Sequence, residues 1–158
     1  MPLLKTLIFL LLVPATGVIL IPRWLLRSDW NRSFDIGGLN LFGLPFIAAG
    51  AAALLWCFWD FATFGKGTPA PIDPPKVFVS RGLYRWVRNP MYVAIGFILT
   101  GEALFFESWT LLTFTACIWL VQHLFVLLYE EPVLKEKFGA EYKTYLKTVP
   151  RWLPKKPK

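Results

Sequence analysis

The sequence predicts an all-α, polytopic membrane protein with about four transmembrane helices, and three observations predict it. The chain of 158 residues is 56% hydrophobic and only 17% charged, with a mean hydropathy of +0.50, a balance too apolar for an ordinary soluble domain and the reverse of a disordered one. The apolar residues gather into four stretches of roughly membrane length instead of spreading along the chain. Eight Trp, fourteen Phe and five Tyr supply the aromatic anchors that membrane helices place at the water interface.

Leu3 to Ile21 is apolar apart from Lys5 and ends in Pro22-Arg23-Trp24, an interfacial ending, so it reads as the first transmembrane helix. A cleaved signal peptide is the competing reading, because Lys5 precedes an apolar core and Ala15-Thr16-Gly17 is a run of small residues. The apolar run continues through Val18 to Ile21, which weighs against cleavage there. Leu41 to Trp59 holds no charge and is the second helix. Its Ala48-Ala49-Gly50-Ala51-Ala52-Ala53 run lets a neighbouring backbone come close, the kind of packing that associates helices in lipid.

Met91 to Phe106 carries Glu102 and reaches only about 24 Å at 1.5 Å per residue, short of a hydrocarbon core of about 30 Å. Its length leaves open whether it crosses fully. Ser108 to Leu128 is uncharged, and with only Glu107 before it the last two stretches should form a tight helical hairpin. Beyond Pro132, Leu134, Phe138 and Tyr142 recur at i, i+4 and i+8 among Lys135, Lys137, Lys143 and Lys147. That is the pattern of an amphipathic helix lying on an anionic cytoplasmic leaflet. The whole reads as one membrane domain over residues 1–158, with a helical pair in 1–64 and a core in 65–158 that would bind a cofactor.

The formal net charge of +7 takes its meaning from position. One of the 17 Lys and Arg, Lys5, stands at the start of the first stretch, three (Arg23, Arg27, Arg32) separate the first and second, five separate the second and third, none the third and fourth, and eight follow. If all four stretches cross, fourteen lie on one side and three on the other, and the positive-inside rule puts both termini in the cytoplasm. The basic excess is then topological, and no nucleic-acid partner is expected. The two cysteines, Cys57 and Cys117, lie inside apolar runs without CxxC spacing, and the single His123 has no ligand-type neighbours, so no metal is expected either.

Two polar segments remain. The loop from Gly65 to Asn89 begins Gly65-Lys66-Gly67-Thr68 and continues through Pro69, Pro71, Pro74 and Pro75, which hold it extended. Neither GxGxxG nor GxxxxGK[ST] is present, so a dinucleotide or P-loop site is not supported. Next comes Arg81-Gly82-Leu83-Tyr84-Arg85-Trp86-Val87-Arg88-Asn89-Pro90-Met91-Tyr92 at the mouth of the third helix. Snorkelling at the interface accounts for Arg81 and Arg85, whereas Arg88 and Asn89 sit where a helix N-terminus offers free N–H groups and a positive dipole end to an anionic group. The fourth stretch ends in Tyr129-Glu130-Glu131-Pro132. Two carboxylates at the negative end of a helix dipole need a cationic partner, either a neighbouring arginine or the amino group of a ligand.

Arg88-Asn89-Pro90-Met91-Tyr92, the apolar hairpin, Leu128-Tyr129-Glu130-Glu131-Pro132, Phe138-Gly139-x-x-Tyr142-x-x-Tyr145 and Val149-Pro150-Arg151-x-x-Pro154 together resemble the integral-membrane methyltransferases. That superfamily includes isoprenylcysteine carboxyl methyltransferases and phospholipid N-methyltransferases. The resemblance covers Gly65 to Pro154, while the first 64 residues match only in hydropathy. It implies S-adenosylmethionine as methyl donor, bound in a cytoplasm-facing pocket closed by the C-terminal segment, and a lipophilic acceptor arriving from the bilayer. Carried onto this chain, it makes Asn89, Pro90, Tyr92, Glu130, Glu131 and Tyr142 candidate cofactor-binding residues, with Glu130 or Glu131 on the cofactor's amino group. Arg88 and Arg151 are then the candidate catalytic residues, orienting an anionic group on cofactor or acceptor.

The departures bear on the acceptor. Asn89 replaces the His of the prenylcysteine enzymes' Arg-His-Pro and, with Met91 and Glu-Glu-Pro, looks like the phospholipid branch; the Val-Pro-Arg tail looks like the carboxyl branch. Ala94 stands where the phospholipid motif often has Gly. Two other classes remain open on sequence alone: an NADPH-dependent enzyme like the sterol reductases, which share a similar Asn-Pro motif, and a non-enzymatic membrane partner whose Arg and Glu clusters form interfacial ion pairs.

Overall fold

Helices account for all the regular elements among residues 14–60, 63–64 and 80–156, the part of the chain that the computed structural model describes. Most of the first apolar stretch and the proline-rich loop, 65–79, lie outside the described residues. A wide π turn, Thr16–Leu20, leads into helix α1, Ile21–Arg27. Where the sequence places an interfacial ending, the helix instead runs through Pro22 to Arg27, because Ile21 N–H closes the wide turn on Thr16 O and Pro22 falls in the first turn of the next helix, where a missing N–H is tolerated.

A 3₁₀ turn, Leu39–Phe42, feeds helix α2, Gly43–Asp60. After the 3₁₀ turn Gly82–Arg85 comes α3, Pro90–Phe105, and then α4, Trp109–Phe125. Phe106, Glu107 and Ser108 turn the α3–α4 hairpin, as the spacing predicts. Glu107 takes a left-handed φ of +50°, unusual for a residue with a Cβ. It is held by the connection between α1 and α2: Phe34 N–H donates to its carbonyl at 2.8 Å and Ile36 N–H to its carboxylate at 3.0 Å. Ser108 caps α4 through Leu111 N–H and donates its own hydroxyl to Asn31 Oδ1.

At its far end α4 does not stop before Pro132. A second π turn, Val126–Glu130, carries it into α5, Glu131–Thr148, again with the proline in the first turn. The bend comes later, at Gly139, whose φ of +51° only glycine adopts at no steric cost. The amphipathic segment expected after Pro132 is therefore joined to the membrane helix without a break.

Two helical runs, Leu39–Asp60 and Trp109–Thr148, are long and apolar enough to cross a membrane, and α3 is a shorter apolar helix. The second run has 40 residues, about 60 Å and twice the hydrocarbon thickness. Only its uncharged part, up to Leu128, suits the bilayer interior; Glu130 and the charged segment beyond it do not.

α2 and α3 pair most closely. The core between them is Val18, Leu54, Phe58, Ala94, Ile98 and Leu99. Glycines, more than the alanine run, make this contact: a Cβ on Gly50 would stand 2.7 Å from the carbonyl oxygen of Ala94 and 2.7 Å from the Ile98 side chain, and Gly43 and Gly101 face each other as tightly. Ala48, Ala49 and Ala52 are exposed. In lipid, where solvent aversion does not hold helices together, this backbone approach supplies the dispersion contacts that do.

Gly50→Leu forces the two backbones apart and should cost at least about 2 kcal/mol. Thermal unfolding of the detergent-solubilised protein should show a clearly lowered Tm for Gly50→Leu and an unchanged one for the lipid-facing Ala52→Leu; equal values would refute the packing assigned to Gly50.

Candidate functional site

One end of the bundle gathers polar groups from four separate segments: the approach to α3, the N-terminal turn of α3, the π turn at the end of α4, and the chain after α5. Glu131 is at the centre, with its side chain only 6% exposed. Arg151 forks onto it, Nε to Oε1 at 2.7 Å and Nη2 to Oε2 at 3.1 Å, and Arg88 Nη1 donates to Oε1 at 3.0 Å. The tail is fastened by its backbone as well. Arg88 N–H donates to Pro150 O, Lys155 N–H to Trp86 O, and the Asn89 side-chain amide to Arg151 O at 3.1 Å. Residues 150–155 thus form a strap across the N-terminus of α3.

Glu130 is in a different environment. Its Oε2 accepts the Tyr92 hydroxyl at 2.8 Å, and its other oxygen makes no hydrogen bond among the described residues. At the junction of the π turn and α5 these two neighbours face different partners, Glu131 the arginines and Glu130 the Tyr92 of α3. Their proton affinities diverge accordingly. Burial pushes the Glu131 carboxyl up, but the Arg151 hydrogen bond and the charges of Arg88, Arg151 and Lys135 more than reverse it, leaving it below its ordinary value of 4.5. Burial and the adjacent Glu131 charge push Glu130 up, and the Tyr92 bond offsets only part of that. The Glu131 hydrogen bond in turn holds the Arg151 guanidinium above its ordinary value.

Tyr142 is buried on α5, within hydrogen-bonding reach of Arg88. The structure thus brings Arg88, Asn89, Tyr92, Glu130, Glu131, Tyr142 and Arg151 into one cluster, with Pro90 starting α3 beside it. Asn89 does not use its side chain to cap α3, as its place before Pro90 invites, but spends it on the strap.

Sequence reasoning passed over three members. Tyr84 is buried against Cys57, and its carbonyl accepts the Tyr145 hydroxyl at 2.6 Å, tying the approach to α3 onto α5. Trp152, on the strap, donates its indole N–H to His123 Nδ1 at 3.1 Å and packs edge-on against Trp119, whose ring fills the space left by Gly96. The histidine is thereby engaged in holding the strap. The i, i+4 spacing of Trp119 and His123 was the available signal, but nothing local pairs it with Trp152. Ala94, which stands where the phospholipid motif often has Gly, is buried in the apolar core with Leu54, Phe58 and Ile98.

Two helical runs long and apolar enough to cross a membrane, with a buried, charge-coupled polar cluster at one end of the bundle, are features that suit a membrane protein. The chain belongs to the phospholipid methyltransferase family, whose model matches residues 39–141. The match takes in α2, which the motif resemblance left out, and ends before the strap. No curated protein sequence matches the chain.

Glu131→Gln keeps the shape of the side chain and leaves Arg88, 11% exposed, without its counter-charge; the expected loss is about 2–4 kcal/mol. The depressed carboxyl also sets a pH dependence. Its contribution is complete above the ordinary value of 4.5 and disappears as pH falls through the lower folded-state value. Thermal melts from pH 7 to pH 3 should show an acid-side loss of Tm that is shallower in Glu131→Gln; parallel curves would refute the assignment.

Proposed function

We propose that the protein transfers a methyl group from S-adenosylmethionine to a lipophilic acceptor at the cytoplasmic face of the membrane. Family membership supports methyl transfer, and the observation that carries the choice of donor is the second oxygen of Glu130. A half-buried carboxylate held by Tyr92 at one oxygen and left without a protein donor at the other fits an ammonium group, and the methionine part of the donor carries one. Glu131 cannot serve in the same way, since both its oxygens are committed to arginines. Of the two carboxylates, then, Glu130 is the ligand and Glu131 the anchor.

The donor supplies a methyl group activated by the positive sulfonium that carries it. The chain's own residues have three tasks. Glu130 and Tyr92 hold the polar end of the donor, Tyr142 and Asn89 bound its pocket, and the strap with Trp152 keeps water out. In-line displacement needs alignment and a dry site more than a protein acid or base, and positioning of this kind contributes several kcal/mol to a barrier. Arg88 and Arg151 act as positioning residues through Glu131, which fixes the strap. A site at the lipid–water boundary suits a polar donor and an apolar acceptor because each reaches it from its own phase. Both termini would then face the cytoplasm, in keeping with the distribution of Lys and Arg.

S-adenosylhomocysteine at 100-fold excess over its Kd should stabilise the detergent-solubilised protein by about 2.7 kcal/mol, and NADPH should not. Glu130→Gln retains the acceptor for Tyr92 while removing the charge, and should weaken binding at least about tenfold, the value of one charge-assisted hydrogen bond. Unchanged affinity in Glu130→Gln, or stabilisation by NADPH in place of S-adenosylhomocysteine, would overturn the reading.

A further inference from the structure

α3 has two working faces. Tyr92 points into the polar cluster, whereas Pro90, Val93, Ala94 and Phe97, at i, i+3, i+4 and i+7, share the opposite side. There they close an apolar groove of about 330 Å³ with Ala49, Gly50 and Ala53 of α2, Leu83, Trp86 and Val87 before α3, and Pro154 of the strap. The groove lies alongside the close contact of the two helices at Gly50, whose Cβ would stand 2.7 Å from Ala94 O. Phe97, stacked on Phe46 at 5.5 Å, stands at its far end, and both Phe97 and Trp86 are partly exposed at its edge.

We propose that this groove holds one fatty-acyl chain of a phospholipid methyl acceptor, and that Ala49 and Ala53 set the girth of the chain admitted. The inference rests on the methyl-transfer reading above and extends it to the acceptor. Three observations select the occupant. No lining residue carries a charge or a polar side-chain group apart from the Trp86 indole N–H, so the guest is hydrocarbon. An apolar cavity of about 150 Å³ takes up one benzene, so about 330 Å³ accommodates on the order of a dozen carbons, one chain segment and not a whole two-chain lipid. The groove runs from Pro90 to Phe97, about 10 Å of helix, and its upper end lies beside Asn89 and beneath the strap that carries Arg151. A chain lying there leaves its headgroup at the N-terminus of α3, where the groove and the polar cluster meet.

The test uses phosphatidylethanolamine bearing a photoactivatable diazirine midway along one acyl chain, with the full-length protein in detergent. Irradiation should place adducts on groove residues such as Val93 and Phe97. Ala49→Leu, at an exposed position that tolerates bulk, should reduce both those adducts and transfer of labelled methyl to the same lipid at least tenfold. Ala53→Leu should do the same, and Ala52→Leu neither. Stabilisation by S-adenosylhomocysteine should remain at the wild-type value in all three. Adducts spread over lipid-facing positions such as Leu120 and Val121, or methyl transfer that persists when the groove adducts are lost, would overturn the proposal while leaving the cofactor reading intact. Absence of any S-adenosylhomocysteine stabilisation in the wild type would instead sink the cofactor reading.

Discussion

The arrangement of this site depends on one buried carboxylate. Glu131 is bound by an arginine that precedes α3 and by another that follows α5, so a single side chain joins segments far apart in sequence. Two guanidinium groups compensate the cost of burying one carboxylate, and the net charge of the trio is positive. The geometry is demanding because the Arg151 fork engages both oxygens at once. Once it is formed, the strap has little choice of path: Pro150 O, Arg151 O and Lys155 N–H all meet polar groups at the approach to α3.

That anchor explains why two adjacent glutamates can differ in role. Neighbours on a helix point about 100° apart, so the two carboxylates meet different sides of the bundle, and only Glu131 meets the arginines. Here the π turn ends at Glu130, and the α-helical turn resumes at Glu131. One carboxylate is saturated and its proton affinity drops; the other is left half-satisfied and its affinity rises. A π turn widens the helix by one residue and weakens its hydrogen bonding, a cost that persists where a side chain has to be aimed. The same device at Thr16–Leu20 shows a second use, admitting a proline without a kink.

Sequence reasoning located the second and third apolar helices well because their signal is local; of the four expected spans, two are long and apolar enough to cross among the described residues. The uncharged run Leu41 to Trp59 lies inside the structural run Leu39–Asp60, and Met91 to Phe106 is displaced by one residue from α3. The clustering of Arg88, Asn89, Tyr92, Glu130 and Glu131 was legible too, from charges placed at the ends of apolar runs where bulk lipid would not tolerate them. What remained hidden depended on partners distant in the chain. Pro132 signals a stop, yet the π turn before it takes the signal away. Ala48 to Ala53 is the conspicuous small-residue run, but Gly43, Gly50 and Gly101 make the contact, since only the crossing point of two helices decides which small residues are pressed together. Trp152 gave no local signal; its hydrogen bond to His123 depends on a strap held by Glu131.

The shortness of α3 acquires a reason in this light. A helix of 16 residues is about 24 Å long, several ångströms less than the hydrocarbon core. The run Leu39–Asp60 and the run through α4 and α5 are both longer. Around the start of α3 the 3₁₀ turn, the strap and the first turn of α5 close in with polar backbone and charged side chains, and they pair there: Pro150 O and Arg151 O accept, Lys155 N–H donates, and the Arg151 guanidinium has Glu131. A longer third helix would occupy that space with its own backbone, and with it the place where a polar cluster and an apolar groove share a single helix end.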